Sequence, residues 1–304
     1  MSNKYNFQEL YNYAISINCD CALNEPMSKN ISFKTGGPCG VRLSPSTTDQ
    51  LIAVINKANE ENIPFVVLGN GTNVLVEDGG IDKAIIIVGS NMASIELSGD
   101  EIAFSAGTNL VSLCRFALEN SLSGLEFAFG IPGTCGGAVF MNAGAYGGEM
   151  KDVLTEITHL TPDMKIETIK ADDAQLSYRH SVYKENGCII LSAKAKLTPD
   201  TKENIKARMD DFLGRRKDKQ PLEYPSAGST FKRPEGYFAG ALIEQCNLKG
   251  ASVGGAQVSE KHAGFVINKG GATSTDIIEL MKLVSNTVKE ETGVTLEPEI
   301  IVLR

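Results

Sequence analysis

The chain has 304 residues, 42% of them hydrophobic and 22% charged. That is enough for two or three domains with a sizeable core, and it is the composition of an ordinary soluble protein. The formal net charge of -8 argues against a sequence-independent grip on nucleic acid, which needs a basic surplus, but leaves room for a local basic pocket for a small anion. The first residues, MSNKYNFQELYNYAISINCD, show no basic stretch followed by an apolar one. No secretory leader is expected, and no apolar run reaches the roughly 18 residues of a spanning helix. A cytoplasmic protein with no membrane partner is the expectation. The cysteines at 19, 21, 39, 114, 135, 188 and 246 are odd in number and include no C-x-x-C. Reduced thiols and no metal site follow.

In chain order, residues 1–30 are expected to form an N-terminal helical segment. Residues 47–62 carry apolar side chains at 51, 54, 55 and 58 behind Thr47, which predicts a capped helix. Pro64 ends it, and FVVLG and IDKAIIIVG read as strands. IELSGDEIAFSAG reads as a hairpin about Ser98, Gly99 and Asp100. The apolar spacing at 110, 113, 114, 117 and 118 predicts a helix over 108–120. VLTEITHLTPDMKIETI predicts a second hairpin, turning at Pro162 and Asp163, and CIILSAKAKL a strand. A charged helix follows residue 200, then a strand HAGFVIN, a helix from TSTDIIELMKLVSNTVKE and a final strand VTLEPEIIVL. Hairpins and mixed strands, without regular βαβ repeats, indicate an α+β fold. A boundary is expected near residue 200.

Two glycine segments carry chemistry. VLGNGTNVLVEDGG gathers Gly69, Asn70, Gly71, Thr72 and Asn73 after a strand. Such a loop can point several N–H groups into one concavity that binds phosphate oxygens. It is neither a Walker A loop nor G-x-G-x-x-G, and a plain turn between strands is the other reading. GLEFAFGIPGTCGGAVFMNAGAYGGEM, residues 124–150, is glycine-dense yet apolar. That suits either a backbone pressed against a flat ligand or tight internal packing. Arg179, in LSYRHSVYK, offers a permanently charged fork, although an isolated arginine is commonly a surface ion pair. Glu297 and Glu299 in LEPEI would share one strand face unless Pro298 bends it. Ser229 stands in AGSTF, where Ala227 and Phe231 replace the flanking glycines of a G-x-S-x-G nucleophile elbow. Plain turn chemistry is the alternative for that serine.

Together, GNGTNVLV, GIPGTCGGAVFMNAGAYG, YRHS, KQPLEYPSAGSTFKRP, GGAQVSEKHAGFVIN and LEPEI, in this order over residues 69–300, resemble the UDP-N-acetylenolpyruvoylglucosamine reductases of peptidoglycan precursor synthesis. The short stretch between YRHS and the serine turn looks like the family's shorter form. The resemblance implies a two-subdomain FAD-binding region of the vanillyl-alcohol-oxidase type over residues 31–199 and a C-terminal α+β substrate-binding domain over 200–304.

It also implies roles. Gly69, Asn70, Gly71, Thr72 and Asn73 would cradle the pyrophosphate of a noncovalent FAD. Pro132, Gly133, Thr134, Gly136, Gly137 and Gly144 would lie along the flavin and its phosphates. NADPH would be the cosubstrate and a sugar nucleotide, reduced at its enolpyruvyl double bond, the substrate. Arg179 and Glu299 would stabilise the charge that develops on the substrate, and Ser229 would donate a proton to carbon. Tyr178, Arg216, Lys219, Lys232 and His262 match substrate-contact positions, and a monomer is expected. Where many relatives carry a basic residue two places after the glutamate, this chain has Ile301. The rival readings are an oxidase of the same wider fold and a non-enzymatic flavin-binding module.

Overall fold

The computed structural model describes residues 5–304. The chain packs as two compact units. Unit 1 takes the segments up to Ala22, Val41–Asn70 and Ala84–Arg216, and unit 2 takes Leu23–Gly40, Gly71–Lys83 and Lys217–Arg304. The division expected near residue 200 is therefore not the one by which the chain packs. The reason is visible in side chains. Arg208, beyond that point, binds the buried Glu126 through Nε and Nη2 at 3.1 and 2.8 Å, and Phe212 stacks on Tyr146. Conversely Asn268 donates to the Phe33 carbonyl at 2.9 Å, which ties an early segment to the C-terminal one.

Unit 1 is built on a five-stranded antiparallel sheet in the order Ile166–Lys170, Leu154–Leu160, Ile189–Lys196, Glu101–Ser105 and Ile95–Ser98. Alternation places Ile102, Phe104, Ile157, Ala193 and Ala195 in the core. Both expected hairpins are present. The first turns at Gly99, whose φ of +63° suits glycine, with Ser98 opposite Glu101. The helix Thr48–Glu60 is capped by Thr47, which accepts the Gln50 N–H at 3.1 Å, and buries Leu51, Val54, Ile55 and Ala58. It joins a sheet in which Phe65–Leu68 runs parallel to Ile81–Ile87. The helix Leu110–Glu119 buries Leu110, Leu113, Cys114 and Ala117 behind its cap Asn109.

Within the glycine segment lies a short helix, Cys135–Phe140, which the sequence pattern does not announce. Thr134 caps it by accepting the Gly137 N–H at 3.3 Å. A hairpin follows, with Gly144–Ala145 paired to Gly148–Glu149.

In unit 2 the antiparallel strands Ser252–Val253, Ala256–Val258 and Val266–Asn268 form a sheet against which the helix Ser274–Thr292 buries Ile277, Leu280, Met281, Val284 and Val288. Two expected strands are shorter than their apolar runs. HAGFVIN is strand only over Val266–Asn268, because Phe265 turns back to the His262 carbonyl at 3.0 Å. The final strand is Ile301–Leu303, parallel to Val74–Val76. Before it the chain pairs with a different segment, Pro298 forming a single antiparallel bridge with Phe231. No helix among the described residues is long and apolar enough to cross a membrane.

Candidate active site

In unit 1 the two glycine loops meet. A Cβ on Gly69 would collide with Thr134 Oγ1, so only glycine lets the strand-end loop approach the cap of the short helix. The main-chain N–H groups of Gly69, Asn70, Gly133 and Thr134 donate to no protein acceptor among the described residues. Donors gathered in this way can take an acceptor from outside the protein, and an anionic pyrophosphate fits them. Gly71 belongs to unit 2, where a side chain would strike the Asn30 carbonyl.

The glycines are not all there for a ligand. A Cβ on Gly136 would press on Ala106, and one on Gly144 on Glu149 and the Gly148 carbonyl. Internal packing fixes those two, as it does Gly69 and Gly71. Gly137 is exposed and meets only Thr134 Oγ1, at 3.5 Å, and Gly133 holds φ +136°. Pro132 is exposed beside it.

Arg179 sits at the tip of a reversal in unit 1. Ser177 and His180 exchange both main-chain hydrogen bonds at 3.1 Å, and Arg179 adopts φ +54°, a region costly for a branched polar side chain. Its guanidinium lies 5.2 Å from the ring centre of Tyr178, which is 50% exposed. Arg216 belongs to the same unit, near the end of the helix Lys202–Lys219, with its Cδ beside Gly130 and its charge beside Tyr146. Burial pulls its pKa below the usual value, and Tyr146 offsets part of that.

Unit 2 holds the serine and the glutamate. Ser229 precedes Thr230, whose N–H donates to the Gly264 carbonyl at 2.8 Å and whose carbonyl accepts the Glu299 N–H at 2.8 Å. The Lys232 N–H closes the next rung on the Glu297 carbonyl, also at 2.8 Å. Ser229 and Glu299 thus lie on paired neighbouring segments, and both are half-buried. Glu297 is exposed instead and binds Lys232 Nζ at 3.1 Å. The two carboxylates differ in exposure, with Pro298 between them bridged to Phe231, and Lys232 reaches the outer one. Asn73 joins the same cluster, its Nδ2 donating to the Glu299 carbonyl at 3.2 Å and its carbonyl accepting the Ile301 N–H at 3.0 Å.

His262 is also in unit 2. Its Nδ1 accepts the Gly264 N–H at 3.1 Å, which leaves the proton on Nε2. Burial lowers its pKa first of all, with Lys249 and Lys219 adding to the effect, so the ring is a neutral donor at pH 7 rather than a fixed cation. Lys219 is exposed at the end of its helix. Sequence reasoning passed over Asn142, wholly buried, and Thr230, whose Oγ1 accepts the Val266 N–H at 2.8 Å. For Asn142 there was a signal: asparagine tolerates positive φ, and its φ is +42°. No cluster of metal-ligating side chains occurs among the described residues.

Residues 40–170 match the family described as FAD binding domain, and residues 220–303 match the C-terminal domain of UDP-N-acetylenolpyruvoylglucosamine reductase. The fold is accordingly α+β, an FAD-binding region followed by a C-terminal domain, and FAD is its cofactor. A crystal structure of the reductase from Thermus caldophilus matches with a TM-score of 0.80 and 34% identity, covering 94% of this chain and 99% of that one. The reductase of Agathobacter rectalis is 49% identical over 289 residues, 91% of this chain and 92% of that protein. That of Syntrophomonas wolfei is 48% identical over 281 residues, 92% of this chain and 94% of its own. Likeness at this level across nearly the whole chain places it in the UDP-N-acetylenolpyruvoylglucosamine reductase family, whose members are FAD-dependent oxidoreductases.

Proposed function

We propose that the protein reduces UDP-N-acetylglucosamine enolpyruvate to UDP-N-acetylmuramate with NADPH, in the cytoplasm and as a monomer. The observation that carries the reading is the pairing of the Ser229 and Glu299 segments through the Thr230 carbonyl and the Glu299 N–H. Bound FAD would accept reducing equivalents from NADPH and deliver them to the enolpyruvyl double bond. The N–H groups of Gly69, Asn70, Gly133 and Thr134 would hold its pyrophosphate, with Gly137 leaving space beside them.

The chain's residues handle the charge and the proton. Addition to the terminal carbon leaves negative charge on the carbon that bears the carboxylate. A fixed cation and a hydrogen-bond donor aimed at that charge lower the barrier. Arg179 supplies the cation, presented on a turn that does not relax, and Glu299 in its neutral form the hydrogen bond. Ser229 Oγ gives its proton to the carbon, which completes the lactyl ether. Tyr178, Arg216, Lys219, Lys232 and the neutral His262 contact the sugar nucleotide. Residues 31–199 serve the cofactor and 200–304 the substrate, although the compact units share those segments differently.

The test is Ser229→Ala, followed anaerobically by absorbance. Flavin content and bleaching by NADPH should match the wild type, while recovery of colour on adding the enolpyruvyl substrate slows by about 100-fold or more. Unchanged recovery would remove Ser229 from the step. Wild-type flavin that recovers its colour with oxygen but not with that substrate would point instead to an oxidase.

A further inference from the structure

Asn142 follows the helix Cys135–Phe140 and is 0% exposed. All of its side-chain hydrogen-bonding capacity is directed at two neighbouring structures. Nδ2 donates to Glu149 Oε2 at 2.6 Å and to the Ser177 carbonyl at 3.0 Å, and Oδ1 accepts the Lys151 N–H at 2.9 Å. Glu149 ends the hairpin that turns at Tyr146 and Gly147, with φ of +55° and +91°, and Lys151 lies in the 3-10 turn Met150–Asp152 that follows it. Ser177 opens the reversal whose third residue is Arg179.

One buried amide therefore joins the strained hairpin to the strained arginine turn, and all of these residues lie in unit 1. A second tie runs in parallel: Ser181, wholly buried, donates its Oγ–H to the Phe140 carbonyl at 2.7 Å. The turn at 177–180 closes on its own two main-chain bonds, and the ties from Asn142 and Ser181 anchor it to the helix Cys135–Phe140 and to the hairpin beyond. An arginine held at φ +54° persists only when its surroundings over-determine it.

We propose that Asn142 positions Arg179 for the reaction, and that Ser181 supports it. The inference rests on the reading that Arg179 stabilises charge on the substrate. Asn142 itself touches no reacting atom. The amide is specific to the task. An aspartate would set a second carboxylate against Glu149 and an acceptor against the Ser177 carbonyl. Serine is too short to span both.

The test uses the flavin-loaded enzyme and separates its two half-reactions by stopped-flow absorbance. Asn142→Gly keeps the left-handed backbone without strain and deletes both ties of Nδ2. Its melting midpoint should fall by several degrees, because a buried side chain and its three bonds are lost, while flavin content and the rate of bleaching by NADPH stay near wild type. Reoxidation by the enolpyruvyl substrate should slow by about 10- to 100-fold, with little change in half-saturating substrate, because displacement of a catalytic group by about 1 Å has that size of effect. In an Arg179→Ala background the same change should cost less than about twofold more, since the group it positions is gone.

Wild-type reoxidation in Asn142→Gly, or losses that multiply in the double variant, overturn the proposal. A wild-type rate in Arg179→Ala alone removes the underlying role of Arg179 and the proposal with it, and that single variant tells the two failures apart. If Asn142→Gly loses its flavin, Ser181→Ala decides in its place by the same slowed step and the same non-additivity with Arg179→Ala.

Discussion

The arginine region of unit 1 and the serine–glutamate region of unit 2 hold their functional residues in opposite ways. In unit 2 the main chain does it: Thr230 bonds to Gly264 and Glu299, and Lys232 to Glu297, each through backbone groups at 2.8 Å, and the proposed functional side chains hang from that ladder. In unit 1 side chains do it, and the backbone they hold is strained at Asn142, Tyr146 and Arg179. The lesson is about tolerance. Truncating Ser229 or Glu299 removes a group and leaves the frame, whereas truncating a buried polar residue in unit 1 releases the frame itself.

Glu126 offers the hardest blow to that frame. It is buried at the head of the glycine segment and binds Arg208 twice, Ser123 Oγ at 2.8 Å and the Gly124 N–H at 2.8 Å. Glu126→Ala leaves Arg208 with Asp200 and the Ser123 hydroxyl and empties a buried polar site. We expect a loss of about 3 kcal/mol, read as a melting midpoint several degrees lower, together with reduced flavin retention. Desolvation alone would raise the Glu126 pKa, but the bonds from Arg208, Gly124 and Ser123 outweigh it and the net direction is down. A carboxyl whose folded pKa lies below its unfolded one stabilises fully above the unfolded value. That stability is lost as pH falls through the folded pKa. The gap between wild type and variant should therefore narrow below about pH 4.3. A variant that melts with the wild type at pH 7 would show that the glycine segment does not depend on this network.

Unit 2 has a side-chain anchor of its own, and it should matter less. Asp78 accepts the N–H groups of Ser274 and Thr275 at 2.8 and 3.1 Å at the start of the helix Ser274–Thr292, where Thr273 and Asp276 already form a capping box. Asp78→Ala should cost about 1–2 kcal/mol, because the helix keeps its own cap. Here too desolvation raises the pKa and the bonds from Ser274 and Thr275 more than reverse it. The contribution is complete above the ordinary aspartate value and fades as pH falls below about 3.9. A penalty as large as that of Glu126→Ala would erase the contrast between the regions.

The two regions also differ in how far their sequences reveal them. The helices Thr48–Glu60 and Leu110–Glu119 follow directly from apolar spacing and polar caps, because each buries one face against its own unit. The helix Cys135–Phe140 does not, since six residues with two glycines carry no period. It stands because Thr134 caps it and Ala138 and Val139 are buried. The last strand is overestimated because one apolar run serves two pairings, a single bridge of Pro298 to Phe231 and then the strand Ile301–Leu303 beside Val74–Val76. At the site, Arg179, Ser229 and Glu299 are recognisable only as members of ordered motifs. Nothing local marks Arg179 as left-handed, because arginine has no preference for positive φ. The reversal closed between Ser177 and His180 holds it there, and the ties that anchor that reversal, from Asn142 and Ser181, join residues more than 30 apart in sequence. The glycines were ambiguous for the same reason. Whether a missing side chain makes room for a ligand or for Thr134, Ala106 or Glu149 is decided by non-local packing.

The smallest expected effect has the opposite sign. Arg216 is half-buried, and its guanidinium has no ion pair or side-chain hydrogen bond among the described residues. Burial works against its charge, and Gly130, at φ +95°, leaves space for its Cδ at 3.4 Å. A cation in that position costs the folded protein unless an anion arrives to meet it. Arg216→Met fills the same space without the charge. In the absence of sugar nucleotide its melting midpoint should rise by about 2 °C, from about 1 kcal/mol of relief. If Arg216 meets the diphosphate as proposed, the upward shift that UDP gives the wild type should shrink in the variant. A midpoint that falls instead would mean that Arg216 is already compensated inside unit 1. The side chains of that unit would then be serving the fold alone rather than holding a charge ready for substrate.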